Sequence, residues 1–362
     1  MSQPVPASAP EEVLVETLGA LGIITLNRPK ALNALSLGMI RAIDQAAIRF
    51  ARDPAIGAVV IRGAGEKAFC AGGDVRALVM APAGVDTAKL ARDFFAEEYR
   101  LNHRIHHYPK PFVALIDGVT MGGGCGLSLH SPFVVATERS MVAMPETVLG
   151  LFPDIGATWF LNKCPGQIGV ALGLTGRRVK AADLKAVGLA SHYVPTAKLD
   201  ALVAALADVA DLNAASVGRV LDEYGQDPGP ATLPDDRAAI DQIFAFDRVE
   251  DILAALERES APWAADALAT MRRASPTSLK VTLRQLREGA KLPDVAAMLR
   301  VEYRLAVRSV GGTDFPEGVR AILVDKDNKP VWRPPTLGEV DDARLDAFFA
   351  PFADPADELC FS

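Results

Sequence analysis

An apolar run that passes through three consecutive glycines into a helical pattern is the feature that most restricts the fold of this chain. Residues 112–116 are all apolar, and Gly122, Gly123 and Gly124 follow a few positions later. Such an order predicts a buried strand, a tight turn that tolerates positive φ, and then a helix. The start of that helix would direct free N–H groups at any group lying above the glycines. The alternative is that the glycines only permit close packing of the helix on the strand.

Other apolar runs alternate with helical patterns over the first 200 residues. The runs at 13–15 and 23–26 predict a hairpin, and those at 56–61 and 133–136 predict buried strands. Ser36 is a candidate N-cap for a helix between the runs at 23–26 and 56–61. Strands that are buried on both faces, with helices between them, indicate an α/β fold.

The pattern becomes almost entirely helical in the second half of the chain. Residues 198–310 are rich in Ala, Leu, Glu and Arg, and one Pro- and Gly-rich loop at 227–234 interrupts them. We therefore expect three parts: a loose tail at 1–12, an α/β core at 13–198, and a mainly helical region at 199–362 that packs on the core.

Composition excludes several classes of function. The chain has 38 Lys and Arg against 45 Asp and Glu, a net charge of −7, which argues against nucleic acid or an anionic membrane surface as the main partner. Asp117 and the glycines interrupt the one long apolar stretch, so no membrane span is predicted. The four cysteines form no CxxC and are expected to be reduced, buried thiols. No Lys or Arg precedes Arg28, so no leader is recognised and we expect a cytoplasmic protein.

Two further segments carry candidate chemistry. Gly72 and Gly73 lie between a strand-like run and a helical one, where a ligand could contact the backbone, although an ordinary turn has the same pattern. Glu146 and Asp154 lie eight residues apart in an apolar segment punctuated by Gly and Pro. Such surroundings should raise a carboxyl pKa and favour a general acid or base, but capping of helices is the alternative.

Together these segments resemble the crotonase (enoyl-CoA hydratase/isomerase) superfamily, and within it the 3-hydroxyisobutyryl-CoA hydrolase branch. The resemblance rests on the motifs at 27–33, 70–74, 121–124, 144–146 and 150–154, and on later segments at 275–280, 301–305 and 314–326. It implies a spiral of ββα units with a helical C-terminal region. That region would fold over the active site of its own chain or of a neighbour.

The resemblance also implies roles for individual residues. Gly73 and Gly123 match the two amides of the oxyanion hole, and Glu146 matches a catalytic glutamate that either activates water or attacks the carbonyl. Asp154 matches the aspartate that distinguishes the hydrolases from the hydratases. Hydratases place a second glutamate where this chain has Gly126, so addition of water by two glutamates is disfavoured.

Binding residues follow from the same resemblance. Ala71 and Gly72 belong to the loop that lines the substrate. Arg28, Lys30 and Arg76 lie beside segments that line coenzyme A in the superfamily and are candidates for its phosphates. The alternative for each of these three is a solvated surface charge.

Glu98 matches a further substrate-binding acid of the hydrolases. It borders the apolar side of a helix predicted over 88–107, whereas Glu97 borders the other flank, and spacing alone hardly separates the two. A carboxyl group beside the pocket would suit a substrate with a 3-hydroxyl group.

The reaction implied is hydrolysis of a short-chain 3-hydroxyacyl-CoA, with 3-hydroxyisobutyryl-CoA of valine breakdown as the first candidate. An enoyl-CoA hydratase or isomerase that uses Glu146 alone, and a non-catalytic acyl-CoA-binding protein, are the alternatives. No cofactor is expected, because coenzyme A is part of the substrate. No metal site is expected either, since His103 and His107 have metal-ligand spacing but no evident carboxylate or cysteine partner. A homo-oligomer stays open, because many relatives form trimers or hexamers.

Overall fold

The computed structural model describes residues 11–80 and 86–361. Its strands are, in chain order, β1 Val13–Leu18, β2 Leu21–Leu26, β3 Ala58–Gly63, β4 Ala68–Cys70, β5 Phe112–Ile116, β6 Val119–Met121, β7 Phe133–Ala136, β8 Met141–Ala143, β9 Val179–Lys180 and β10 His192–Tyr193. Its α-helices are α1 Leu37–Arg52, α2 Val75–Val79, α3 Thr87–His106, α4 Gly123–Ser128, α5 Ala157–Asn162, α6 Ile168–Thr175, α7 Ala181–Ala186, α8 Leu199–Ala207, α9 Ala214–Tyr224, α10 Leu233–Ile243, α11 Val249–Leu256, α12 Pro262–Arg273, α13 Pro276–Gly289, α14 Val295–Val310, α15 Asp314–Val319 and α16 Asp342–Phe349.

A six-stranded sheet forms the centre of the α/β part, with strand order β1-β2-β3-β5-β7-β10. The predicted hairpin is confirmed, because β1 and β2 pair in antiparallel register with Val13 opposite Leu26. The neighbours β2, β3, β5, β7 and β10 pair in parallel. Strand β3 begins two residues later than predicted, because Ile56 belongs to a turn in which its N–H donates to the Asp53 carbonyl oxygen at 3.2 Å.

Both faces of this sheet are buried, as the apolar runs predict. Alternate residues such as Val60 and Val113 pack under α8 and α9 in one apolar cluster. The intervening residues, such as Ile61 and Ala114, belong to a larger cluster on the opposite face, which also contains α1. Ser36 caps α1 as predicted, because its hydroxyl oxygen accepts a hydrogen bond from the Met39 N–H at 3.1 Å.

A second sheet, of order β4-β6-β8-β9, positions the candidate site. Strands β4, β6 and β8 are parallel neighbours, so their carboxyl ends lie at one edge. The loop at 71–73 follows β4, the glycine run follows β6, and Glu146 follows β8. Three motifs that are far apart in the sequence therefore meet at one edge of this sheet.

The helices after residue 198 cover this edge of their own chain. The Ser275 N–H donates to the Thr147 carbonyl oxygen at 3.1 Å, next to Glu146. Helix α15 packs so closely on the turn 146–149 that a methyl group on Gly318 would lie 2.3 Å from the Leu149 carbonyl oxygen. The larger apolar cluster also runs across residue 198 and includes Phe152, Leu283 and Leu305.

Three further expectations can be compared with the structure. Residues 1–10 of the predicted tail lie outside the described residues, whereas the Glu12 carboxylate forms an ion pair with Arg28 at 3.0 Å. Cys70, Cys125 and Cys164 are buried, but the prediction is wrong for Cys360, which lies exposed near the C-terminus. Within the described residues, no helix is both long and apolar enough to cross a membrane.

Candidate active site

Some glycines at the edge of the second sheet adopt positive φ, and others allow close packing of the backbone. Gly72 has a φ of 111° and Gly122 a φ of 44°, values that side-chain-bearing residues rarely adopt. A methyl group on Gly124 would lie 2.3 Å from the Cys70 carbonyl oxygen, so this glycine permits close packing of α4. The two interpretations of the glycine run, turn and packing, therefore apply to different glycines.

Gly73 and Gly123 lie next to each other, although they come from different loops. Leu35 holds the first loop, because its N–H donates to the Gly72 carbonyl oxygen and its own carbonyl oxygen accepts from the Asp74 N–H, each at 2.8 Å. Among the hydrogen bonds of the described residues, neither the Gly73 N–H nor the Gly123 N–H is a donor. A methyl group on Gly123 would lie 3.4 Å from the Gly73 nitrogen. Two residues with free backbone donors thus lie side by side.

Glu146 lies directly beside these donors. It begins the 3-10 turn after β8 and is buried, with 6% of its surface exposed. Its Oε1 would be 3.2 Å from a methyl group on Gly122, and its Oε2 has no hydrogen-bond partner in the described part of the chain. A buried carboxyl oxygen without a hydrogen-bond partner, beside free amides, is typical of a ligand-binding site.

Asp154 is held by a residue that the sequence analysis missed. The Tyr99 hydroxyl donates to Asp154 Oδ2 at 2.7 Å, and both side chains are buried. Tyr99 lies on α3 directly after Glu98, in a helix already singled out, but spacing alone did not indicate that it points at Asp154. The contact joins α3 to the segment that follows the turn 146–149.

The structure separates Glu98 from Glu97. Glu98 is 2% exposed, and its Oε1, which has no partner among the described residues, would lie 2.4 Å from a methyl group on Gly123. Glu97 points outwards and forms an ion pair with Arg41 at 2.7 Å. The predicted glutamate is therefore the one that borders the site.

Burial dominates the electrostatics of the three acids. It raises the pKa of Glu146 and of Glu98 well above the usual value, and the negative charge of Asp154 raises both further. Burial raises the pKa of Asp154 only to about 6, because the hydrogen bond from Tyr99 opposes the effect. Burial therefore favours the neutral, protonated form of all three acids, and Asp154 is the one whose charged form is supported by a hydrogen bond.

The position of the missing second glutamate is filled. A methyl group on Gly126 would lie 2.6 Å from Asn102 Nδ2 and 3.0 Å from Ile155 Cβ. Asn102 is fully buried on α3, one turn after Glu98, and neither atom of its amide has a partner in the described residues. Helical spacing from Glu98 could have identified Asn102, which the sequence analysis overlooked.

The candidate coenzyme A residues differ in their surroundings. Arg28 is committed within the protein: it donates to the Ala34 carbonyl oxygen at 2.7 Å and pairs with Asp74 at 3.2 Å. Lys30 and Arg76 are exposed and make no ion pair with the described residues. Ala71 lies in the loop beside them.

The described residues contain no group of three or more His, Cys, Asp and Glu side chains arranged to hold a metal ion. The rings of His103 and His107 contact each other with centroids 4.4 Å apart, and His103 also stacks on Phe361 at 4.2 Å. Packing of these rings accounts for the histidine pair.

A parallel sheet edge that brings two free glycine amides next to buried carboxyls defines a crotonase-type α/β protein. The chain belongs to the enoyl-CoA hydratase/isomerase family, whose sequence profile matches residues 21–349.

Relatives of known name cover almost the whole chain. A zebrafish (Danio rerio) protein named 3-hydroxyisobutyryl-CoA hydrolase, mitochondrial, is 45% identical over 349 residues, which are 95% of this chain and 91% of that protein. The human protein of the same name is 44% identical over 346 residues, 94% of this chain and 89% of its own length.

Two solved structures share the fold. A carnitinyl-CoA dehydratase from Mycobacterium thermoresistibile has a TM-score of 0.89 and 42% identity, covering 97% of this chain and 99% of its own. An enoyl-CoA hydratase from Rhodobacter sphaeroides has a TM-score of 0.89 and 38% identity, covering 97% and 100%. The names of the relatives thus include both hydrolysis and hydration, and the site has to distinguish them.

Proposed function

We propose that this protein hydrolyses the thioester bond of 3-hydroxyisobutyryl-CoA, yielding the free hydroxy acid and coenzyme A. The observation that carries this proposal is Asp154, buried and held by Tyr99, together with Gly126, which leaves no room for a second hydratase glutamate. The curated relatives named for this activity match more than nine-tenths of the chain.

The Gly73 and Gly123 amides supply the oxyanion hole of the proposed mechanism. Negative charge grows on the thioester oxygen as the carbonyl carbon becomes tetrahedral, so donors at that oxygen stabilise the transition state more than the ground state. One donor of this kind typically contributes about 10²–10³ in rate. The two N–H groups are free of internal acceptors in the described residues, which suits them to this task.

The carboxyl pair handles water and the leaving group. Either a water oxygen or a Glu146 oxygen bonds to the carbonyl carbon, and the C–S bond then breaks. In the second case water cleaves the anhydride between the acyl group and Glu146 in a further step, which releases the hydroxy acid and restores Glu146. A carboxylate takes the proton that water releases, and the leaving thiolate of coenzyme A takes a proton from a carboxyl group. One proton shared by Glu146 and Asp154 meets both requirements.

The location of that proton bears on the assignment of roles. Glu146 matches the family's base or nucleophile, which acts as a carboxylate, whereas burial and the charge of Asp154 raise its pKa and favour its protonated form. When the shared proton lies on Asp154, Glu146 is the carboxylate that acts as base or nucleophile, and Asp154 is the acid for the thiolate.

Glu98 fits the recognition of a 3-hydroxyl group. Its Oε1 is unpartnered and lies beside Gly123, where the acyl group would be held. Burial raises the pKa of Glu98 and favours its protonated form, in which the carboxyl group can both accept a hydrogen bond from a hydroxyl and donate one to it.

Coenzyme A is the other part of the proposed substrate. Since Arg28 is committed to Ala34 and Asp74, Lys30 and Arg76 are the better candidates for its phosphates. The vertebrate relatives are named as mitochondrial, and the cytoplasmic location expected here stays a prediction, as does a homo-oligomer.

The experiment is to mix the protein with 3-hydroxyisobutyryl-CoA and measure free thiol with a chromogenic reagent. We expect thiol release by the wild type, a loss of orders of magnitude in Glu146→Gln, and wild-type rates in the matched control Glu97→Gln, whose side chain points outwards.

A parallel cuvette with crotonyl-CoA tests the alternatives. Loss of enone absorbance without thiol release from the first substrate would show a hydratase and contradict the proposal. Tight binding of the CoA ester without either reaction would show a non-catalytic binding protein and contradict it equally.

A further inference from the structure

The turn that carries Asp154 has a backbone conformation that needs support. Ile155 has a φ of 55°, and Gly156 after it has a φ of 84°. A β-branched residue in the left-handed region is strained, and such strain persists only where the surrounding structure holds it. The contacts around residues 153–156 therefore determine where the Asp154 carboxyl points.

Two side chains of the C-terminal helices hold the two ends of this turn. Gln285 of α13 donates from Nε2 to the Pro153 carbonyl oxygen at 2.7 Å. Glu302 of α14 accepts the Gly156 N–H on Oε2 at 2.6 Å. Between them, His130 Nε2 bonds the Ile155 carbonyl oxygen at 2.8 Å.

Glu302 is a fully buried carboxyl group that is bound only by uncharged donors among the described residues. Its Oε1 accepts from the Thr158 N–H at 3.0 Å, from the Thr158 hydroxyl at 2.6 Å and from Gln285 Nε2 at 3.3 Å. Burying a carboxyl group without a cation is costly, and an apolar side chain could fill the same space more cheaply. What an apolar side chain could not do is bind the Gly156 and Thr158 N–H groups at the C-terminal end of this strained turn.

The same helix also reaches Asp154 through aromatic packing. Tyr303, the residue after Glu302, contacts the ring of Tyr99 edge-on, with centroids 6.5 Å apart. The Tyr99 hydroxyl in turn donates to Asp154. Helix α14 therefore supports both the backbone and the hydrogen-bond donor of this aspartate.

We propose that Glu302, assisted by Gln285, is a positioning residue that holds Asp154 in its catalytic orientation. The helical C-terminal region then builds one wall of the active site, in addition to covering it. This inference rests on the proposed function, in which Asp154 takes part in hydrolysis.

The test compares Glu302→Gln with the wild type. Glutamine has the same shape, but its NH2 group must face either the Gly156 N–H or the donors of Thr158, where a hydrogen bond cannot form. We expect kcat to fall about 10- to 100-fold, the scale set by an ångström-sized misplacement, with KM changed less than about threefold. Ser309→Ala, which removes a buried hydroxyl that donates to the Leu305 carbonyl oxygen on the same helix, should leave kcat unchanged.

A double-mutant comparison separates positioning from general loosening. In the Asp154→Asn background, Glu302→Gln should reduce the residual kcat by less than about threefold, because the residue it acts through is already disabled. An equal loss in both backgrounds, or a folded Glu302→Gln enzyme with wild-type kcat, would overturn the inference. If Glu302→Gln fails to fold, Gln285→Leu replaces it, and wild-type kcat in that variant would overturn the inference in the same way.

Failure of the proposed function would be visible separately, as a wild type that releases no thiol. In that case the crystal structure of Glu302→Gln decides the inference. A displaced turn at 153–156 supports it, and an unchanged turn overturns it.

Discussion

Replacing Asp154 by asparagine should stabilise the protein at neutral pH while it reduces the rate of hydrolysis by orders of magnitude. Burial raises the pKa of this carboxyl from 3.8 to about 6, so the folded protein holds the proton more tightly than the unfolded chain does. Between about pH 4 and pH 6 the unfolded chain has lost this proton and the folded protein has not, so the free energy of unfolding falls as pH rises. Above pH 6 the folded state bears the whole cost of a buried charge.

The magnitude follows from the same values. Each pKa unit corresponds to about 1.36 kcal/mol, so a rise from 3.8 to about 6 corresponds to about 3 kcal/mol at neutral pH. Asparagine carries no charge at any pH, and its amide oxygen can still accept the hydrogen bond from Tyr99. The stability difference between Asp154→Asn and the wild type should therefore grow by about 3 kcal/mol between pH 4 and pH 7.

Urea denaturation of both proteins at pH 4, 5, 6 and 7 measures this difference. A control is Glu97→Gln, which changes an outward-facing glutamate and should not reproduce the rise between pH 4 and pH 7. A difference for Asp154→Asn that is flat with pH, or a wild type that is the more stable protein at pH 7, would refute the argument that Asp154 is ionised at a cost in the folded state.

Three other substitutions test the site. Gly123→Ala places a methyl group 2.4 Å from Glu98 Oε1, so it should displace the amide and reduce kcat about 10²–10³-fold; Gly218→Ala, which has open space around it, should leave kcat unchanged in the thiol-release assay. Gly126→Glu should lower the melting temperature, with a loss of about 1–3 kcal/mol from overpacking, and should not create crotonyl-CoA hydration. Glu98→Leu should raise KM for 3-hydroxyisobutyryl-CoA by a factor about ten times larger than the factor for isobutyryl-CoA, as expected for one lost hydrogen bond. Equal changes in KM for both esters would exclude Glu98 as the partner of the 3-hydroxyl group.

Local features of the fold could be predicted because their causes are local. Ser36 caps its helix with its own side chain, and the apolar runs at 112–116 and 133–136 form strands because both of their faces are buried. The glycine run predicts a turn because glycine adopts positive φ without strain, and Gly122 has such a φ, 44°.

Contacts between segments that are distant in the chain could not be predicted from the sequence pattern. Spacing on α3 left Glu97 and Glu98 almost equivalent, and only the folded structure shows that Glu98 is buried beside Gly123 of α4. The cysteine pattern did not show that Cys360 is exposed. The presence of a charge at Arg28 did not show that this side chain forms an ion pair with Asp74.

The amino-acid sequence alone specified which residue types stand where: the glycines that free two amides, the carboxyls in apolar segments, and the motifs that carry the family resemblance. The folded chain specified their neighbours, because β4, β6 and β8 pair side by side and bring their carboxyl ends to one edge. Only in the folded chain does Tyr99 contact Asp154, 55 positions away, and does Glu302 contact Gly156, 146 positions away. Burial is a property of that assembled neighbourhood, and burial is what raises the pKa of Asp154, Glu146 and Glu98.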